Sequence, residues 1–139
     1  MRRRCGASQT GGCTIVNDSY NANPTSMVAS LQMLSQAPGR KLLVFGDMLE
    51  LGSVGPDAHR TVGRLAAQAG VALLVTVGEL AALAADAAGE LGVETLATNS
   101  PEEAAEALGP KLGEGDVVLV KGSRLMALER TVKRLLDAE

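Results

Sequence analysis

An α/β three-layer sandwich, with a mostly parallel sheet of about six strands and helices on both faces, is the fold class this chain predicts. Two observations lead there. Short, β-branched apolar runs without clean alternation mark strands buried on both faces of a parallel sheet. Between them lie segments whose apolar residues recur at helical spacing. Strand and helix patterns then alternate almost to the end of the 139 residues.

The elements follow in order. Arg2, Arg3 and Arg4 read as a solvated end, because no further basic cluster supports them. Cys5 to Thr14, with Gly11-Gly12, adds a hairpin strand, so residues 1–13 form an N-terminal hairpin or hinge remnant on a single domain spanning 1–139. Strands are predicted at Thr14 to Val16, Leu42 to Phe45, Ala72 to Val77 and Val117 to Val120, with a weaker one at Glu94 to Ala97. Helical stripes comprise Met27, Leu31 and Leu34; then Ala58, Val62, Leu65 and Ala69. Two more comprise Leu80, Leu83, Ala87 and Leu91, and Leu125, Leu128, Val132, Leu135 and Leu136. Asn23 before Pro24 is an N-cap with proline at the first helical position. Ser100-Pro101-Glu102-Glu103 reads as a capping box in which Glu103 reaches back to the Ser100 amide, and Gly109-Pro110 stops that helix.

Composition narrows the function. At 46% hydrophobic residues the chain buries a real core and is not disordered. Tyr20 and Phe45 are its aromatic residues, so base stacking is poorly served. A net charge of -3 argues against nucleic acid or an anionic membrane as the main partner. No apolar run approaches the roughly 18 residues of a membrane span, and no apolar segment follows the arginines as in a signal peptide. Cys5 and Cys13 form neither a CxxC nor a zinc pattern; a hairpin disulfide is the alternative, but they read as reduced thiols, which points to the cytoplasm. Oligomerisation is not implied.

In an open α/β sheet, ligands bind beyond the carboxyl ends of the strands. The loops there are polar, whereas the opposite ones, such as Ala37-Pro38-Gly39, are plain turns. After the first strand come Asp18, Tyr20, Asn21 and Asn23. A carboxylate there can accept hydrogen bonds from ribose hydroxyls and Tyr20 can offer a ring face, while Asx residues also simply make turns and caps. Asp47 and Glu50 follow the next strand, suited to an ammonium group, to acid–base chemistry or to solvation alone. His59 lies beside its helix's apolar stripe, as a packed histidine or a functional one. The last loop, Lys121-Gly122-Ser123-Arg124, places two cations and a hydroxyl at an expected helix N-terminus, where an anion is favoured. The bland alternative is Ser123 as an ordinary N-cap with two solvated cations.

No GxxxxGK[ST], GxGxxG or GxSxG is present, and metal-ligand clusters are missing. No catalytic residue is therefore expected in this domain alone, nor any intrinsic metal or cofactor. A phospho-receiver-like module is a rival on Asp18, Asp47 and Lys121, but Ser19 stands where a second acid belongs and Asp47 comes a strand early. A stand-alone nucleotide- or amino-acid-binding module is another.

Three motifs carry a resemblance. Asp18-Ser19-Tyr20-Asn21-Ala22-Asn23-Pro24-Thr25-Ser26-Met27, Val44-Phe45-Gly46-Asp47-Met48-Leu49-Glu50-Leu51-Gly52 and Val118-Leu119-Val120-Lys121-Gly122-Ser123-Arg124 resemble, in order and spacing, the C-terminal domain of the MurF family of Mur ligases. These are UDP-N-acetylmuramoyl-tripeptide–D-alanyl-D-alanine ligases of peptidoglycan synthesis. The resemblance implies a Rossmann-like domain of a cytoplasmic bacterial enzyme that uses ATP and Mg2+, held mainly by a central domain absent here. It further implies D-Ala-D-Ala and UDP-MurNAc-tripeptide as substrates. Asp18, Tyr20, Asn21 and Asn23 are implied at the nucleotide, and Asp47, Lys121, Ser123 and Arg124 at the dipeptide or transferring phosphate. Glu50 and His59 lie nearby. The family's arginine-bearing hinge is matched only loosely by residues 1–6.

Overall fold

The computed structural model describes residues 2–5 and 12–137, with side chains from Gly12 onward. Its strands are β1 (Arg2–Cys5), β2 (Cys13–Asp18), β3 (Lys41–Gly46), β4 (Val71–Val77), β5 (Glu94–Thr98) and β6 (Val117–Lys121). Its helices are α1 (Pro24–Ser35), α2 (Gly55–Gln68), α3 (Ala81–Glu90), α4 (Pro101–Leu108) and α5 (Glu129–Asp137). The sheet order is β1-β2-β6-β3-β4-β5. Five strands form the parallel sheet, one fewer than the expected six; β1 extends it as an antiparallel edge, paired residue for residue with β2 from Arg2↔Val16 to Cys5↔Cys13. Cys13 is disulfide-bonded, which corrects the expectation of reduced thiols: the hairpin register places the chain's two cysteines directly opposite one another.

The three-layer expectation holds. One apolar cluster joins α1, α2 and α3 to Leu43, Phe45, Leu74 and Leu119; the other joins α4 and α5 to Leu42, Val44, Val75 and Val120. Alternate residues of β3 and β6 thus serve opposite layers, which is why these strands read as continuous apolar runs. None of the described helices is long and apolar enough to cross a membrane.

Asn23 caps α1 as expected, its Oδ1 accepting the Ser26 N–H at 2.9 Å. Ser100 caps α4, but Glu103 reaches the Asn99 amide rather than that of Ser100. Two helical stripes are displaced. On α3 the buried residues are Ala81, Ala84, Ala85, Ala87 and Ala88, while Leu91 is exposed. The cause lies on α2, where Gly63 lets the two helix backbones meet: a Cβ at Gly63 would stand 3.0 Å from the Ala84 Cα and closer to its carbonyl oxygen. Only small side chains fit so close a contact. Near the C-terminus, Leu125 is 80% exposed because a single 3-10 turn, Arg124–Met126, and a left-handed Ala127 precede α5.

At the amino-terminal ends of the strands, Arg40 grips buried Asp116 through two hydrogen bonds of 3.1 and 2.7 Å. The bond to Asp116 holds the Arg40 guanidinium above its ordinary range. Lys111, hydrogen-bonded at 2.8 Å, lowers the Glu94 carboxyl. Both pairs fasten the sheet on the edge away from the polar loops.

Gly63→Ala tests the helix contact. The substitution gains about 0.5–1 kcal/mol in helix propensity and loses about 1–3 kcal/mol to overpacking. Net destabilisation is expected, read as a lower urea midpoint at unchanged slope.

Candidate functional site

Strand β6 lies between β2 and β3, yet the helix after β6 packs on one face while those after β2 and β3 pack on the other. The chain therefore parts at the carboxyl end of β6, the kind of switch point where open α/β sheets bind ligands. All three polar loops predicted from the sequence converge there.

Asp18 ends β2 and Lys121 ends β6, and they are Cα partners in register. Strand alternation puts Lys121 on the same face as Leu119, toward α1. Its side chain is 1% exposed, and its Nζ donates to Asp18 Oδ2 at 2.7 Å and to Ser26 Oγ at 3.3 Å. Asp18 is 43% exposed, so this pair joins an interior cation to a carboxylate at the surface. Beside it, Asn17 Oδ1 accepts the Ser19 N–H at 3.2 Å, tightening the turn. Tyr20 and Asn21 are exposed, flanking Asp18 in sequence. Asn23 is occupied as the α1 cap.

The loop after β3 is fixed from below by His59, which is fully buried on α2. Its Nε2 accepts the Met48 N–H at 2.8 Å and its Nδ1 lies 2.6 Å from the Gly55 carbonyl oxygen. A backbone donor on one side and a carbonyl on the other require the neutral ring with its proton on Nδ1. His59 is thus a clamp, with Phe45 packed 5.6 Å away centroid to centroid. Asp47 caps α3 by accepting the Ala81 N–H at 2.7 Å. Gly78 makes room for it, since a Cβ there would lie 2.5 Å from the Asp47 Cγ. Glu50 is exposed and held at φ 67, an unusual conformation for a residue with a side chain.

In the last loop, Ser123 Oγ accepts the Leu49 N–H at 3.0 Å, tying this loop to the β3 loop. Ser123 precedes the 3-10 turn Arg124–Met126, but its side chain makes no capping bond to it. The helix expected to start here is a single 3-10 turn, and α5 begins only at Glu129. Gly122 passes close to Leu128, whose Cδ1 would lie 2.6 Å from an added Cβ. Arg124 is exposed and its guanidinium has no ion-pair partner among the described residues.

The ten candidates thus divide. Asp18 and Lys121 meet directly; Asn23, Asp47, His59 and Ser123 hold the loops; Tyr20, Asn21, Glu50 and Arg124 stand exposed at the rim. Ser26 was missed. Its signal was its place three residues after Asn23, the capping-box position, where the usual Glu or Gln is replaced by serine. Among the described residues no group of three or more His, Cys, Asp or Glu side chains is arranged to hold a metal ion.

Among curated relatives, the UDP-N-acetylmuramoyl-tripeptide–D-alanyl-D-alanine ligase of Bacillus subtilis is 35% identical over 131 residues, covering 91% of this chain and 29% of the relative. The Escherichia coli ligase of the same name is 37% identical over 127 residues, covering 88% and 27%. The crystal structure of MurF ligase from Thermotoga maritima in complex with ADP superposes with a TM-score of 0.78 at 27% identity, over 98% of this chain and 30% of that one. The chain spans less than a third of the length of the curated relatives it matches. The family profile described as "Mur ligase, glutamate ligase domain" matches residues 2–124. By that match, over most of its length, the chain belongs to the Mur ligase family and corresponds to its glutamate ligase domain.

Proposed function

We propose that this chain is the C-terminal domain of an ATP-dependent ligase that adds D-Ala-D-Ala to UDP-MurNAc-tripeptide in bacterial peptidoglycan synthesis. The observation that carries the reading is the Asp18–Lys121 pair at the switch point, which joins the first and last of the three motifs resembling MurF. The relatives bearing that ligase name support it.

In the reaction so proposed, the tripeptide carboxylate attacks the γ-phosphorus of ATP, giving an acyl phosphate and ADP. The amine of D-Ala-D-Ala then attacks the acyl carbon, loses a proton and expels phosphate. This domain supplies recognition rather than bond-making groups. Asp18 offers its second carboxylate oxygen to ribose hydroxyls, with Tyr20 and Asn21 along the same edge. Arg124, exposed and without an ion-pair partner among the described residues, is suited to the dipeptide carboxylate or the transferring phosphate through a two-point hydrogen bond. Lys121, Asp47 and Ser123 contribute by fixing the loops that present these groups, and His59 by clamping the loop of Glu50.

Asp18 ends β2 and Asp47 follows β3, with β6 between those strands, and Asp47 is engaged by α3. The magnesium that such a reaction needs is assigned to the ATP-binding part of the ligase. Consumption of ATP and a nucleotide-linked sugar supports a cytoplasmic location and roles in cell shape and division. The disulfide at Cys13 withdraws reduced thiols as a ground for that location.

Two measurements test the proposal. The 139-residue chain alone, given ATP, magnesium, UDP-MurNAc-tripeptide and D-Ala-D-Ala, is expected to release no phosphate; turnover would overturn the domain reading. In the complete ligase, Arg124→Ala is expected to lower kcat/KM for D-Ala-D-Ala by about 10–100-fold, from loss of a charge-assisted bidentate contact. A value within twofold of the parent would remove Arg124 from the site.

A further inference from the structure

Lys121 is the largest charged side chain in the interior, and what surrounds its ammonium decides how Asp18 is presented. A buried ammonium offers three N–H donors and no acceptor, so each partner must accept from it. Asp18 Oδ2 accepts one at 2.7 Å and Ser26 Oγ another at 3.3 Å. The Ser26 hydroxyl has one proton to give, and gives it to the Asn23 carbonyl at 3.1 Å. It also accepts the Asn23 N–H at 3.1 Å. Its donor and both acceptor positions are therefore committed, and its direction is set by the backbone of the loop that carries Asp18, Tyr20 and Asn21.

We infer that Ser26 is a positioning residue: its hydroxyl anchors the buried Lys121 ammonium so that Asp18 is held by one carboxylate oxygen and presents the other to the ligand. The inference rests on the proposed contact between Asp18 and the nucleotide. It adds a residue that none of the three motifs' chemistry singles out. A four-carbon lysine stem is flexible, and burial alone does not choose among its rotamers. The carboxylate at 43% exposure is free to follow the ammonium. The hydroxyl, at the first turn of α1, is the fixed point of the three.

The test uses the complete ligase and steady-state kinetics in ATP. Asp18→Asn is expected to raise the KM for ATP at least tenfold. Ser26→Ala is expected to raise it roughly fivefold, less than the full loss of a hydrogen bond to a charged group because Asp18 keeps its own bond to Lys121, with kcat within twofold and the thermal midpoint within a few degrees of the parent. Ser26→Thr, which keeps the hydroxyl, is expected to restore the parental KM. The Asp18→Asn/Ser26→Ala double variant is expected to match Asp18→Asn alone, because both act through one carboxylate.

The outcomes separate the two ideas. If Asp18→Asn raises KM and Ser26→Ala does not, the inference falls and the nucleotide reading stands. If Asp18→Asn leaves KM unchanged, the nucleotide reading falls and takes the inference with it. A loss in Ser26→Ala that Ser26→Thr fails to restore, or that adds fully to the Asp18→Asn effect, overturns the positioning role. Should Ser26→Ala fail to fold, Ser26→Cys replaces it as a weaker hydrogen-bonding side chain of similar size, and a parental KM in that variant overturns the inference.

Discussion

A charged amine at the end of an interior strand is the constraint around which this domain is arranged. Removing an ammonium from water costs several kcal/mol, and only well-placed acceptors offset it. Lys121 finds Asp18 because β2 and β6 are neighbours in exact Cα register at that point, and finds Ser26 because α1 starts where it does. A slip of one residue between the strands would send the lysine to the opposite helix layer and leave the carboxylate unpaired. Strand order, register and the cap of α1 are thus conditions for one ion pair. The same conditions bring the three polar loops together.

Charge has a different task at the other end of the sheet. Arg40 with Asp116 and Lys111 with Glu94 are half exposed on at least one partner, and they join strand starts to neighbouring turns. These pairs displace titration without facing any converging loop. The ligand edge is marked by topology.

Much of this was legible in the sequence, for reasons particular to each element. Val117 to Val120 and Leu42 to Phe45 announced buried parallel strands because residues on both faces must be apolar. Asn23 announced its helix because a short polar cap followed by proline has few other uses. What escaped was set by contacts between distant segments. Periodicity favoured leucines on α3, whereas Gly63 on another helix selected alanines. It likewise ran the last helix back to Leu125, because the left-handed turn at Ala127 carries no glycine to betray it. At the site, spacing located the loops, but it did not reveal that Asp47 and Ser123 face backbone amides of neighbouring segments. The cysteine pair was misread because its cross-strand register is a property of the hairpin and not of the spacing between them.

His59 is the chain's single histidine, and its two ring nitrogens meet unlike partners. Nδ1–H donates a hydrogen bond to the Gly55 carbonyl, and Nε2 accepts one from the Met48 N–H. Its imidazole is therefore a built-in spectroscopic reporter: two nitrogen resonances, free of overlap from any other histidine in the chain, read whether the Asp47–Gly52 loop is seated. With nitrogen-15 enrichment, loop order becomes observable in solution without a ligand or a substitution.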